Sequence, residues 1–165
     1  MDAVAVTRLR WRIKICVWTM IVGLLISGAT AIPLQTELDW LAGWAGGDQA
    51  SGEGLAGWFH RVREALRVAN QNYPFLAYGT DWLAFGHFVI ALAFVGALRD
   101  PVRNRWLFDW GLIACALIIP YALVMGGVRG IPFWWRLIDC SFGILGAVPL
   151  WLARRWTRAL PAPAP

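Results

Sequence analysis

Few side chains in this sequence can do chemistry, and the most suggestive is His87. It stands six residues beyond Asp81, inside the apolar run from Trp82 to Leu98. Were that run a helix, the imidazole would lie about 9 Å past the carboxylate, at ~1.5 Å of rise per residue. No capping role explains a histidine at that depth. An imidazole there can relay protons, ligate a metal or haem iron, or, most commonly, hydrogen-bond to a neighbouring helix. In an antiparallel arrangement of the runs, Tyr121, Arg136 and Asp139 lie toward the same outer side. His87, Tyr121, Arg136 and Asp139 are therefore the candidate polar site, suited to a quinone-like headgroup or to proton transfer. A bis-His haem would need His60 or a second chain. His87 with Cys140 is a thin basis for a metal centre, so no metal is assigned, and the residues alone name no cofactor.

The acids have a plainer reading. Asp81 opens the second apolar run, while Asp109 and Asp139 fall in the first turns of the third and fourth. A carboxylate at a helix start accepts from unpaired backbone N–H groups and complements the positive helix end. Arg105 precedes Asp109 by four residues and Arg136 precedes Asp139 by three, spacings that offer local ion pairs. There is no Walker loop, dinucleotide glycine pattern, Ser–His–Asp arrangement, HExxH or EF-hand. Cys16, Cys115 and Cys140 have neither C-x-x-C nor zinc spacing and read as small hydrophobes. No catalytic residue is assigned, and a non-enzyme is the expectation.

The elements that position these groups follow from composition. Of 165 residues, 59% are hydrophobic and 15% charged, against about 25% charged in ordinary soluble domains. The deficit is concentrated in four runs, roughly 13–32, 82–98, 106–126 and 137–153, each near the ~17–25 helical residues that span a bilayer core. Backbone groups in lipid must bond internally, so the expected fold is an all-α integral membrane domain of four transmembrane helices. The charge of +5 is no nucleic-acid footprint, because the basic residues flank the runs. Ten of the fifteen (Arg8, Arg10, Arg12, Lys14, Arg99, Arg103, Arg105, Arg154, Arg155 and Arg158) fall on one side of a four-span chain. That bias puts both termini in the cytoplasm of a bacterial-type inner membrane. A competing reading makes Arg8–Lys14, the following apolar stretch and Ala29-Thr30-Ala31 a cleavable signal; the length of the stretch, on to Leu34, favours a retained anchor.

Residues 33–81 form the one sizeable external loop. Gly43–Gly57 reads as flexible. Beyond it, Leu55, Trp58, Phe59, Val62, Leu66 and Ala69 recur at helical spacing opposite His60, Arg61, Arg63, Glu64 and Arg67, predicting an amphipathic helix over 55–70. The proline–alanine tail, about 159–165, is expected to be disordered. Small residues at Gly23 and Ser27 in the first span, and at Gly143 and Ala147 in the fourth, mark helix-packing faces. Pro120 should bend the third span. Trp134 and Trp135 suit an aromatic belt, and the Arg99–Arg105 turn suits anionic lipid. Together these features predict an accessory or structural subunit with the bilayer and a membrane protein or second copy as partners. The alternatives are a redox or proton-relay component centred on His87, and a small oligomeric transporter or channel.

Overall fold

Long apolar sequence with no water to hydrogen-bond its backbone has one economical solution, and the chain adopts it. The computed structural model describes residues 2–44 and 54–161, and among them the regular structure is helical. Six α-helices follow in order: α1 (Ala3–Ala31), α2 (Leu34–Trp44), α3 (Leu55–Asn72), α4 (Ala77–Arg99), α5 (Arg105–Val128) and α6 (Phe133–Arg158). A 3-10 turn, Pro74–Leu76, leads into α4. Among the described residues four helices are long and apolar enough to cross a membrane: α1, α4 with its leading turn, α5 and α6. The chain is a small, multi-pass helical membrane protein.

The spans start earlier or run later than the apolar windows, because helical hydrogen bonding continues through arginine and tryptophan after hydropathy has dropped. In α1, Asp2 accepts from the Ala5 N–H at 2.6 Å and starts the helix ten residues before the apolar run. The sequence reading missed α2, which begins after Pro33; its carbonyl accepts from Glu37 N–H at 3.0 Å. Helix α3 matches the expected amphipathic element, ending two residues later. Both α5 and α6 run unbroken through an internal proline, Pro120 and Pro149. Most of the stretch expected to be flexible (45–53), and most of the tail (162–165), lies outside the described residues. Disorder is not the state at 159–160: Leu160 is buried and its N–H bonds the Thr157 carbonyl at 3.2 Å.

The chain divides into two compact units, Met1–Gly23 with Ile90–Pro165, and Leu24–Val89. In the first, Ile13, Val17, Phe94, Phe108 and Leu150 are essentially fully buried. Three helices converge at Gly111 of α5, where an added Cβ would lie 2.9 Å from Leu150 of α6 and 3.5 Å from Phe94 of α4. The α5–α6 hairpin has the most extensive contact between helices. The short α4–α5 turn is knitted by Asn104, whose amide donates to the Gly96 and Asp100 carbonyls at 3.0 and 2.9 Å. Asp100 in turn accepts from the Val102 and Arg103 N–H groups, both at 3.0 Å.

In the second unit, Gly28 of α1 meets α4 so closely that an added Cβ would fall 2.6 Å from the Phe88 ring and 2.9 Å from the Ala84 carbonyl. Helix α2 packs on α3. Tyr78, Trp82 and Phe85 stack edge-to-face along α4, with centroids 5.9 and 5.6 Å apart, and all three are exposed. Such a ridge suits the water–lipid boundary, where an apolar ring with a polar edge is well placed.

Candidate functional site

The polar residues on α5 and α6 are best understood from the turn between those helices. Helix α5 ends in a Schellman motif: Ile131 N–H bonds the Gly126 carbonyl at 2.8 Å, and Gly130 N–H bonds that of Gly127 at 3.2 Å. Gly130 takes φ +69°, a left-handed conformation that side-chain-bearing residues rarely adopt. Arg136, from the first turn of α6, then folds back over this end. Its Nε donates to the Ile131 carbonyl at 2.7 Å and its Nη1 to that of Leu123 at 3.4 Å. A cation at a helix C-terminus satisfies orphan carbonyls and offsets the negative end of the dipole. Gly126 and Gly127 leave room for it, since an added Cβ would meet Arg136 side-chain atoms at 2.8 and 3.1 Å. In this position Arg136 staples the turn.

Its proposed companions are placed differently. Asp139 is half-buried one turn along α6. Tyr121 is 68% exposed and belongs to an outward stripe of α5 with Trp110, Ile113, Leu117, Val124 and Val128, a lipid-facing pattern. Among the described residues no hydrogen bond or ion pair joins Tyr121, Arg136 and Asp139. His87 lies in the other unit, half-buried, its Nδ1 2.8 Å from the Leu83 carbonyl one turn back on α4. That local bond gives the ring a partner within its own helix.

The three acids do not cap their helices. Because α4, α5 and α6 begin earlier than the apolar runs, Asp81 and Asp109 are fifth in their helices and Asp139 seventh, and the first turns hold no acid. Nor does Asp109 use the nearby Arg105. It forms an ion pair with Arg154 near the end of α6, tying the start of one span to the finish of another. Spacing along the chain could not reveal that pair, which exists because α5 and α6 are antiparallel. Arg136, committed to carbonyls, is not seen paired with Asp139.

A second unforeseen contact organises the α2–α3 hairpin. Arg63 Nε donates to Asp39 Oδ1 at 2.7 Å, and Gln35 adds a 3.2 Å bond to the same oxygen. The Arg63 bond holds the Asp39 carboxyl below its ordinary value of 3.8; loss of hydration partly opposes this, and Gln35 reinforces it. A carboxyl depressed on folding contributes stability that is full above its unfolded pKa and is lost as pH falls through the folded one. The α2–α3 separation, read by electron spin resonance between labels at Leu41→Cys and Arg61→Cys, should therefore hold constant from pH 8 to about 5 and widen only below about 4. Widening near pH 6 would assign control to another group.

Among the described residues no three His, Cys, Asp or Glu side chains are grouped so as to hold a metal ion. The three cysteines are buried thiols; Cys140 and Cys115 sit in the α5–α6 interface, with the Cys140 sulfur 3.8 Å from the Ile119 carbonyl. No family model, curated protein or solved structure matches the chain.

Proposed function

We propose that this protein is a non-enzymatic accessory or structural subunit of an assembly in a bacterial-type inner membrane, with both termini cytoplasmic. The observation that carries this reading is a contrast among its helical glycines. Gly28, Gly111 and Gly143 each have a neighbouring helix pressed against them. Gly23 on α1, and Gly79 and Gly86 on α4, have nothing within 4 Å of where a side chain would begin. A helix-interior glycine costs roughly 0.5–1 kcal/mol relative to alanine, and these three gain no compensating close approach among the described residues. Small residues facing outward in a membrane suit the approach of another helix.

On α1 the open edge continues to exposed Ser27. On α4 the Gly79 and Gly86 groove lies beside the Tyr78–Trp82–Phe85 ridge, so one face offers both a recess and a projection. The polar groups support the same reading, since Arg136 and His87 already have backbone partners of their own.

Affinity purification from native membranes tests the proposal. Gly23→Leu with Ser27→Leu should lose a stoichiometric protein partner at least fivefold, while His87→Ala retains it. Loss of a bound small molecule in His87→Ala, with assembly intact, would instead establish the redox or proton-relay role.

A further inference from the structure

The end of α6 carries a feature the accessory-subunit reading does not require. Trp151, Arg154, Arg155, Arg158 and Ala159 line an open groove of about 390 Å³. The three arginines there do not carry equal weight. Arg154 is neutralised by Asp109. Arg155 lies over the Trp151 ring, 5.5 Å from its centroid, a geometry that leaves the edge of a guanidinium able to donate. Arg158 is exposed, and among the described residues neither it nor Arg155 is paired with a carboxylate.

The groove continues an apolar track. Ile144, Val148, Trp151, Arg155 and Arg158 follow at intervals of four, three, four and three residues, which is one helical face, and all five are exposed. From Ile144 to Arg158 the track covers about 21 Å at ~1.5 Å per residue. It runs from branched aliphatic residues through one indole to two unpaired cations. An anionic lipid has the same order of parts: acyl chain, glycerol at the boundary, phosphate in water.

The wider field has the same sign. Arg12 of α1 stacks on Trp156, 5.7 Å from the ring centroid, which brings the basic start of α1 to this end of the unit. The α4–α5 turn reaches it through the Asp109–Arg154 pair. The N-terminal flank, the α4–α5 turn and the end of α6 together hold ten basic residues against three acids, Asp2, Asp100 and Asp109. A basic cluster beside a membrane attracts anionic lipid to that surface without selecting a site on it.

We infer that the α6 groove is a binding site for the phosphate headgroup of an anionic phospholipid, with Arg155 and Arg158 as donors, Trp151 as the boundary ring, and Ile144 and Val148 seating an acyl chain. A bidentate arginine–phosphate contact supplies geometry as well as charge. A free phosphate would use the arginines but not the apolar track.

Native mass spectrometry of the protein taken from nanodiscs of equimolar phosphatidylglycerol and phosphatidylcholine tests this. The wild type should retain phosphatidylglycerol preferentially. Arg155→Gln with Arg158→Gln should reduce that retention at least fivefold, and Trp151→Ala severalfold. Arg99→Gln with Arg103→Gln, which removes equal charge from the same end but outside the groove, should lower it less than twofold. All these positions are exposed, and matching helical circular dichroism confirms the folds. Equal loss in the two double variants would overturn the site in favour of diffuse charge. Undiminished retention in the Arg155/Arg158 variant, or full displacement by millimolar inorganic phosphate, would overturn it as well.

Discussion

Gly143→Leu is expected to prevent α5 and α6 from packing, and Gly143→Ala to destabilise the protein by about 1–3 kcal/mol, the usual cost of overfilling a packed interior. The asymmetry of the neighbours decides this. A Cβ on Gly143 would lie 2.5 Å from the Cys115 carbonyl oxygen, 3.4 Å from the Ile118 Cβ and 3.5 Å from the Cys115 carbonyl carbon. Two of these are backbone atoms, which cannot rotate aside, so relief requires the helices to move apart along their most extensive contact. At Gly146 the nearest neighbour is the Cys115 sulfur at 3.2 Å, the end of a short side chain, and Gly146→Ala should cost less. Gly86→Ala, facing open space, should leave stability unchanged or raise it by up to about 1 kcal/mol. Unfolding by dodecyl sulfate in mixed micelles, followed by circular dichroism, should rank the three in that order. Equal effects at Gly143 and Gly86 would mean that helix propensity, not close approach, governs these positions.

The helical, multi-span character was legible because hydropathy reports the solvent directly. Long apolar runs need internally bonded backbone whatever their neighbours, so α1, α4, α5 and α6 were foreseeable from the chain alone. Helix α3 was legible for a related reason, since Trp58, Val62, Leu66 and Ala69 repeat at the helical period. Helix α2 was not. Only eleven residues long, it mixes Glu37 and Asp39 with Leu34, Leu38 and Leu41, and owes its packing to α3.

Side-chain roles were legible only where the decisive partner was close in sequence. In the α5–α6 turn the use of Gly126 and Gly127, admitting a guanidinium that reaches back over ten residues, is a property of the folded hairpin. The small-residue stripes show the same limit. Gly23 and Gly143 looked equivalent by spacing; one faces open space and the other a carbonyl. Periodicity identifies a face, and only the neighbouring helix decides whether the chain itself fills it. The basic end of α6 had been visible as a topology signal, while its groove depended on Asp109 neutralising Arg154 and on Arg155 turning over Trp151.

That Asp109–Arg154 pair supplies the second large effect. Its side chains are about one-third exposed, 38% for Asp109 and 32% for Arg154, so it belongs between surface pairs, worth about 0–1 kcal/mol, and buried pairs, whose disruption costs ~3–5 kcal/mol. Asp109→Asn and Arg154→Gln should each destabilise by about 1–2 kcal/mol. Their combination should cost clearly less than the two together, because the second change removes a charge the first left unpaired. Arg105→Gln separates this geometry from the local alternative. If the i,i+4 pair carried the interaction, Arg105→Gln would reproduce Asp109→Asn; with Arg154 as the partner it should be nearly silent. The lipid groove adds an independent readout. Asp109→Asn releases the Arg154 charge into a groove that already holds Arg155 and Arg158, so phosphatidylglycerol retention should rise even as stability falls. A simple loss of fold would lower both, and opposite movement of the two quantities would therefore identify Asp109 as the group that keeps Arg154 committed to α5.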